Sequence, residues 1–247
     1  AIYLNGVSAN TNITNTTFKS NNATKNGGAI DCNAENIGIY NLTFDNNYAG
    51  EYGAALCREV NATNGHGEHN NFTNNHAGIS GAALAWMGVS NIHIDYYNFI
   101  NNTAGFSGGA IYISQGSNNC TIDHSYFEGN EILNETGGHG GAVDIVGNGT
   151  TLIDSEFIDN HAFYGGAVFA GNASGNTHVD NVTFKDNSAV VNGGAIQITG
   201  SNVVLNDTRF YSNEAGESGG AVYVGGTGSD NVVEYSVFDN NKAGDHL

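Results

Sequence analysis

The chain has 247 residues, with 24 Asp and Glu against 6 Lys and Arg, for a formal net charge of −18. That balance excludes the electrostatic attraction on which nucleic acid binding and adhesion to anionic membranes depend, and no run of about 18 apolar residues is present to insert this segment into a bilayer. The acids are scattered rather than blocked, which predicts a solvated surface and not a disordered acidic tail.

The chain opens on Ala1-Ile2-Tyr3-Leu4, which reads as the end of a strand. A first full unit follows, with Ile13, Phe18, Asn21, Ala23 and then Gly27-Gly28-Ala29-Ile30. The same order recurs to the end. Phe18, Phe44, Phe72, Phe99, Phe127, Phe157, Phe184, Phe210 and Phe238 are each followed three residues later by Asn, at spacings of 26, 28, 27, 28, 30, 27, 26 and 28. An aliphatic residue stands five before each Phe except at Gly67, and Ala stands five after each except at Ile132. The Gly-Gly-Ala-Ile/Val tetrad returns at Gly108, Gly140, Gly165, Gly193 and Gly219, with softened copies at Gly53-Ala54-Ala55-Leu56 and Gly81-Ala82-Ala83-Leu84. The last unit reaches Lys242-Ala243-Gly244. A period in the high twenties over the whole length means a repeat architecture.

Within a unit, short runs such as Asn119-Cys120-Thr121-Ile122-Asp123-His124 alternate polar and apolar residues. Alternation with a period of two means half-buried strands. No window sustains a helical period, and Leu, Lys, Arg and Met are scarce beside Asn and Gly. The expected fold is all-β: a right-handed parallel β-helix of about nine coils, with a period of about 27 residues and two or three strands per coil. Residues 1–247 are expected to form one segment of a longer array. Phe over Phe should build an inner ladder. The Asn three residues on is expected at a left-handed corner, bonding its own backbone or the Asn of the next coil. The paired Gly should supply positive φ and close backbone approach.

The two tetrads, Phe-x-x-Asn and Gly-Gly-Ala-Ile/Val, resemble the passenger repeats of chlamydial polymorphic membrane proteins. They are equally similar to the Asn-rich adhesin-like proteins of methanogenic archaea, and the acidity and scarcity of Lys and Arg lean towards that group. The resemblance covers residues 12–247. It implies an extracellular, cell-surface location and attachment to glycans or proteins of a host or partner cell.

Three cysteines are present. Cys32 and Cys57 fall one position out of register, so they should face opposite sides of a strand and pair only if the turn slips. Cys120 should point inward as a small hydrophobe. Asn-x-Ser/Thr sequons at Asn12, Asn15, Asn22, Asn41, Asn61, Asn71, Asn101, Asn119, Asn134, Asn148, Asn172, Asn181 and Asn206 are candidate glycan acceptors.

Chemistry is sparser. Parallel β-helices also house carbohydrate lyases and hydrolases, which need clustered carboxylates and commonly a base or calcium in a walled cleft. Lys19, Lys25, Arg58, Lys185, Arg209 and Lys242 are spread along the array, and only the segments Cys57–His66 and Glu131–His139 are long, so no catalytic group is assembled and no cofactor is expected. Asp95 and Asp123 share one register four before their Phe and should stack about 5 Å apart, a spacing that invites calcium. His66 and His93 share another, with His69 nearby, and could hold zinc or nickel. His124 and His139 stand isolated. Trp86, Met87, Arg58, Tyr96 and Tyr126 form the candidate recognition surface, because flat aromatic faces beside Asn and Asp suit carbohydrate or protein contacts. The favoured role is a non-catalytic adhesin or stalk segment. The alternatives are a filament or sheath subunit joined head to tail, and a carbohydrate-active enzyme.

Overall fold

In a computed structural model the chain winds into nine stacked coils, with residues 1–244 described. Among them are 36 strands in four parallel sheets of nine strands each, one 3-10 turn at Gly6–Ser8 and no α-helix. Each coil gives one strand to each sheet. The fourth coil, for example, contributes Leu84–Trp86, His93–Asp95, Asn98–Ile100 and Thr103–Ala104 to the first, second, third and fourth sheets. The β-solenoid and its period are as the repeats imply, but a coil has four strands and not two or three. The unforeseen strand is the short one after the Asn, usually two residues, too short to display alternation.

The core is a set of columns along the axis. The Phe rings stack from Phe18 to Phe238 with centroids 4.4–5.1 Å apart and planes within about 15° of parallel. Phe44 to Phe210 are fully shielded from solvent. Each contact adds about 0.5–1.5 kcal/mol beyond burial.

The Asn three residues after each Phe does not occupy the left-handed corner. That corner comes one residue earlier, at Asn46, Asn74 and Asn101, each with φ 54°. The Asn itself turns inward. Asn102 Nδ2 donates to Phe72 O and to Asn130 Oδ1, both at 3.0 Å, and its backbone N–H donates to Asn130 Oδ1 at 3.0 Å. A side-chain amide with a donor for each neighbour satisfies the peptide groups that the turn leaves unpaired inside the protein, which explains why the position admits Asn alone. At the opposite corner Gly165 holds φ 62°, and a Cβ on Gly166 would run into the carbonyl oxygen of Gly194 in the next coil. The first glycine of the tetrad is therefore there for conformation and the second for proximity.

The third coil breaks the pattern for a packing reason. Gly67 replaces the aliphatic residue because the hydroxyl of Tyr97, from the next coil, fills the space a side chain would need. Gly65 makes equivalent room for the guanidinium of Arg58. Both Arg58 and Tyr97 lie inside the solenoid, at 1% and 0% exposure.

Candidate functional site

The corner between the second and third sheets carries the densest exposed chemistry. Its geometry follows from the repeat. A three-residue strand of the second sheet ends on an outward residue four before the Phe, and the next residue turns left-handed. That turn residue is Asn15, Asn41, His69, Tyr96, His124, Asp154, Asn181, Asp207 or Tyr235 in successive coils, all with φ between 41° and 55°. Asn and Asp adopt this conformation readily, whereas a bulky residue pays for it. His69, Tyr96 and His124 occupy it in three consecutive coils.

The three rings stack on one another. His69 and Tyr96 have centroids 5.0 Å apart, and Tyr96 and His124 4.7 Å. Beside them runs a row of carboxylates, since strand register places Glu68 against Asp95 and Asp95 against Asp123. Like charges facing each other across neighbouring strands repel. His124 sits among them: Nδ1 is 2.8 Å from Asp123 Oδ1 and 3.3 Å from Asp95 Oδ1, and Nε2 is 3.7 Å from Asp154 Oδ2. A shallow depression continues from this point, lined by His124, Asp154, Ser155, Glu156, Asn181 and Thr183.

The structure sorts the residues singled out from sequence. Asp95 and Asp123 are brought together, as their register required. His66 and His93 are neighbours in the second sheet, but the expected trio does not assemble: His69 is beyond the corner on Tyr96, and His66 meets Tyr40 edge-on. Among the described residues the group of three metal-ligating side chains is Asp95, Asp123 and His124. Tyr96 is exposed, while Tyr126 is half-buried and bonds Glu128 Oε2 at 3.1 Å. Met87 is half-buried.

Arg58 and Trp86 cannot belong to a recognition surface. They occupy the inward third position of first-sheet strands, paired in register, and are 1% and 0% exposed. Arg58 Nη2 donates to Ile37 O at 3.2 Å. Burial pushes its pKa down, and the side chains that bear on its charge are Cys32, Tyr97 and Cys120 rather than carboxylates. Cys32 points inward and Cys57 outward, paired with Arg58 and Asp31 respectively, and all three cysteines are free and buried. Most sequon asparagines are exposed, with Asn71, Asn134 and Asn206 half-buried.

Sequence reasoning missed His124, Asp154 and Glu68 as partners of Asp95 and Asp123. The signal was present, since His69, Tyr96, His124 and Asp154 all stand three before their Phe. It was obscured because the left-handed turn brings a residue of one row over the neighbouring row, a contact that strand register alone does not reveal.

A second titratable cluster is on the outer face of the first sheet. Asp144 lies between Tyr112 and Phe169 and is only 2% exposed. Burial pushes its pKa up to about 7, against a hydrogen bond from Ser107 that lowers it. His139 stacks on Phe169 at 4.4 Å, and burial lowers its pKa. Asp31, at the equivalent position near one end, is raised to about 6, chiefly by burial and secondarily by Glu59.

Comparisons with known proteins point to the repeat. Residues 15–33 and 181–199 match the Chlamydia polymorphic membrane protein repeat, each match holding one Phe-x-x-Asn and the Gly-Gly-Ala-Ile that follows. The chain is 32% identical over 113 residues to a probable outer membrane protein, pmp21, of Chlamydia pneumoniae. That alignment takes in 40% of this chain and 7% of the relative, so the chain corresponds to a small part of that protein's length. A tailspike protein of the E. coli bacteriophage HK620, solved in complex with a pentasaccharide, superposes at a TM-score of 0.38 and 12% identity over 96% of this chain and 58% of its own.

Proposed function

We propose that this chain is a segment of an extracellular cell-surface attachment protein: a non-catalytic β-solenoid that displays a recognition corner at His69, Tyr96 and His124 to glycans or proteins of a host or partner cell. The observation that carries this reading is the exposed ring stack built on three consecutive left-handed positions, beside a row of carboxylates. The framework residues repeat from coil to coil and are internal. The corner is where the sequence departs from Asn while remaining accessible. A flat ring face next to acceptor oxygens suits a sugar, whose C–H face stacks and whose hydroxyls donate.

The similarity to chlamydial outer membrane protein repeats supports the surface location. The scarcity of Lys and Arg supports, within the same reading, a place nearer the adhesin-like proteins of methanogenic archaea. A non-catalytic role is supported by where the bases go. Arg58 is internal, Lys19 on the first coil is 2.6 Å from Asp45, and Arg209 on the eighth is 2.9 Å from Asp207 and from Asn181, so the last two lie on coils other than those of His69, Tyr96 and His124.

The test is to probe the full chain, labelled at its N-terminus, against a glycan array and against cells. Saturable binding to a restricted set of glycans or to one cell type is expected. Absence of binding to all of them would reduce the segment to a spacer of about 40 Å, from nine coils at the usual strand spacing.

A further inference from the structure

The rings and carboxylates of the corner have a second capacity, which stands whether or not a glycan binds there. Asp95, Asp123 and His124 each bring one ligand atom within 4.8 Å of the others, and His124 Nδ1 is 3.3 Å from Asp95 Oδ1 and 2.8 Å from Asp123 Oδ1. Both Oδ1 atoms are shielded from solvent, and neither accepts a hydrogen bond of good geometry from a protein group. The His124 contacts at 2.8 and 3.3 Å are proximities of charge and lone pair. Glu68, Asp95, Asp123 and Asp154 bring four carboxylates to this short stretch, beside the imidazoles of His69 and His124; even with both rings doubly protonated the group would stay negative.

We propose that Asp95, Asp123 and His124 bind a divalent transition cation of the zinc type. Two carboxylate oxygens and an imidazole nitrogen form a borderline ligand set that suits zinc, cobalt or manganese better than the all-oxygen preference of calcium. In a tetrahedral site with bonds of about 2.0–2.2 Å, neighbouring ligand atoms stand about 3.3–3.5 Å apart; the 3.3 Å contact of His124 with Asp95 already matches this, and the 2.8 Å contact with Asp123 would open by about half an ångström. The imidazole is already oriented for this task. Tyr96 stacks against one side of it, and Nε2 faces Asp154 Oδ2 at 3.7 Å, a carboxylate that a small movement would bring into hydrogen-bond reach of the ring of a metal ligand. His124 also lines the depression that continues over Asp154, Ser155 and Glu156.

Isothermal titration of zinc chloride into the full, tag-free, chelator-stripped chain tests the proposal, with calcium chloride as a separate titration. The variants are His124→Asn and Asp123→Asn. Asn is what Asn15, Asn41 and Asn181 already supply at the His124 corner, so the fold should be kept, and circular dichroism checks this. One equivalent of zinc is expected to bind, at least tenfold more weakly in either variant, while a His66→Asn/His93→Asn double variant binds like the parent. No heat with zinc would overturn the proposal. So would binding that survives His124→Asn, binding lost only in the His66/His93 variant, or binding of calcium alone.

Discussion

Asn102 accepts two hydrogen bonds from Asn75, 27 residues earlier in the chain: one from its backbone N–H at 3.1 Å and one from Nδ2 at 2.9 Å. The pair is one step of a ladder that runs from Asn21 to Asn241. Phe72 O and Asn130 Oδ1 depend on the same Asn102 amide. Replacing Asn102 by Ala takes the side-chain partner from Asn75 N–H, Asn75 Nδ2 and Phe72 O, while Asn130 Oδ1 keeps the backbone N–H of residue 102; the cost is roughly 1–3 kcal/mol for each group left without a partner that water cannot reach. Urea denaturation of Asn102→Ala should show a loss of about 3 kcal/mol or more. Asn22→Ala, at an exposed strand position, should stay within about 0.5 kcal/mol of the parent.

Gly67 and Tyr97 are an exchange of volume between adjacent coils. Gly67→Ile restores the repeat in sequence but drives the side chain into the Tyr97 hydroxyl, so it should destabilise by about 2–3 kcal/mol or more. Tyr97→Ser installs the residue that Ser125 and Ser155 supply in the two following coils, and alone it opens a cavity. The double variant should recover most of the parent stability, giving a favourable coupling of at least about 2 kcal/mol in a double-mutant cycle. Additive losses would show that the two residues do not share one space.

Arg58 carries a charge into the interior with no carboxylate beside it. Such groups are often replaced by an apolar side chain of similar length at no loss or with a gain of about 1–4 kcal/mol. Thermal unfolding of Arg58→Met should therefore occur at or above the parent temperature. Arg58→Ala should unfold lower, because it empties the space next to Gly65.

Asp144 makes stability depend on pH in a defined direction. Its folded pKa of about 7 is above its ordinary carboxylate value, so the folded state binds the proton more tightly than the unfolded chain does. Stability is then greatest below the unfolded value near 4 and is lost as pH rises from there towards 7. Asp31, raised to about 6, acts in the same direction. Asp144→Asn should leave stability at pH 4 nearly unchanged and raise it at pH 8 by a few kcal/mol, at about 1.4 kcal/mol per pKa unit. Chemical denaturation at the two pH values provides the comparison.

The framework was legible because its causes are local and repeated. Phe18 to Phe238, the glycine pairs and the aliphatic column are set by fixed offsets, and parallel stacking turns an offset into a contact. The same logic brought Asp95 to Asp123 correctly. It failed where a side chain crosses coils inside the solenoid. Arg58 reads as exposed from the length of the segment after Cys57, and Trp86 from the fit of a flat aromatic face to recognition, but both continue the inward column of Cys32 and Ile113. The clue was the missing side chains at Gly65 and Gly67, and only packing says what fills them. It failed again at His124, where a left-handed turn carries the ring over the neighbouring row.

Tyr96 offers the most direct test of the recognition corner, because Tyr235 occupies the same left-handed position in the last coil and is 82% exposed. Each can be changed to Asn, the residue this corner holds in other coils, and binding of the two variants and the parent to the responding cells or glycans can be measured side by side. Loss of about tenfold or more in affinity for Tyr96→Asn, with Tyr235→Asn equal to the parent, is the predicted result. Equal binding by all three proteins, or a loss confined to Tyr235→Asn, would contradict the assignment of recognition to the His69–Tyr96–His124 stack.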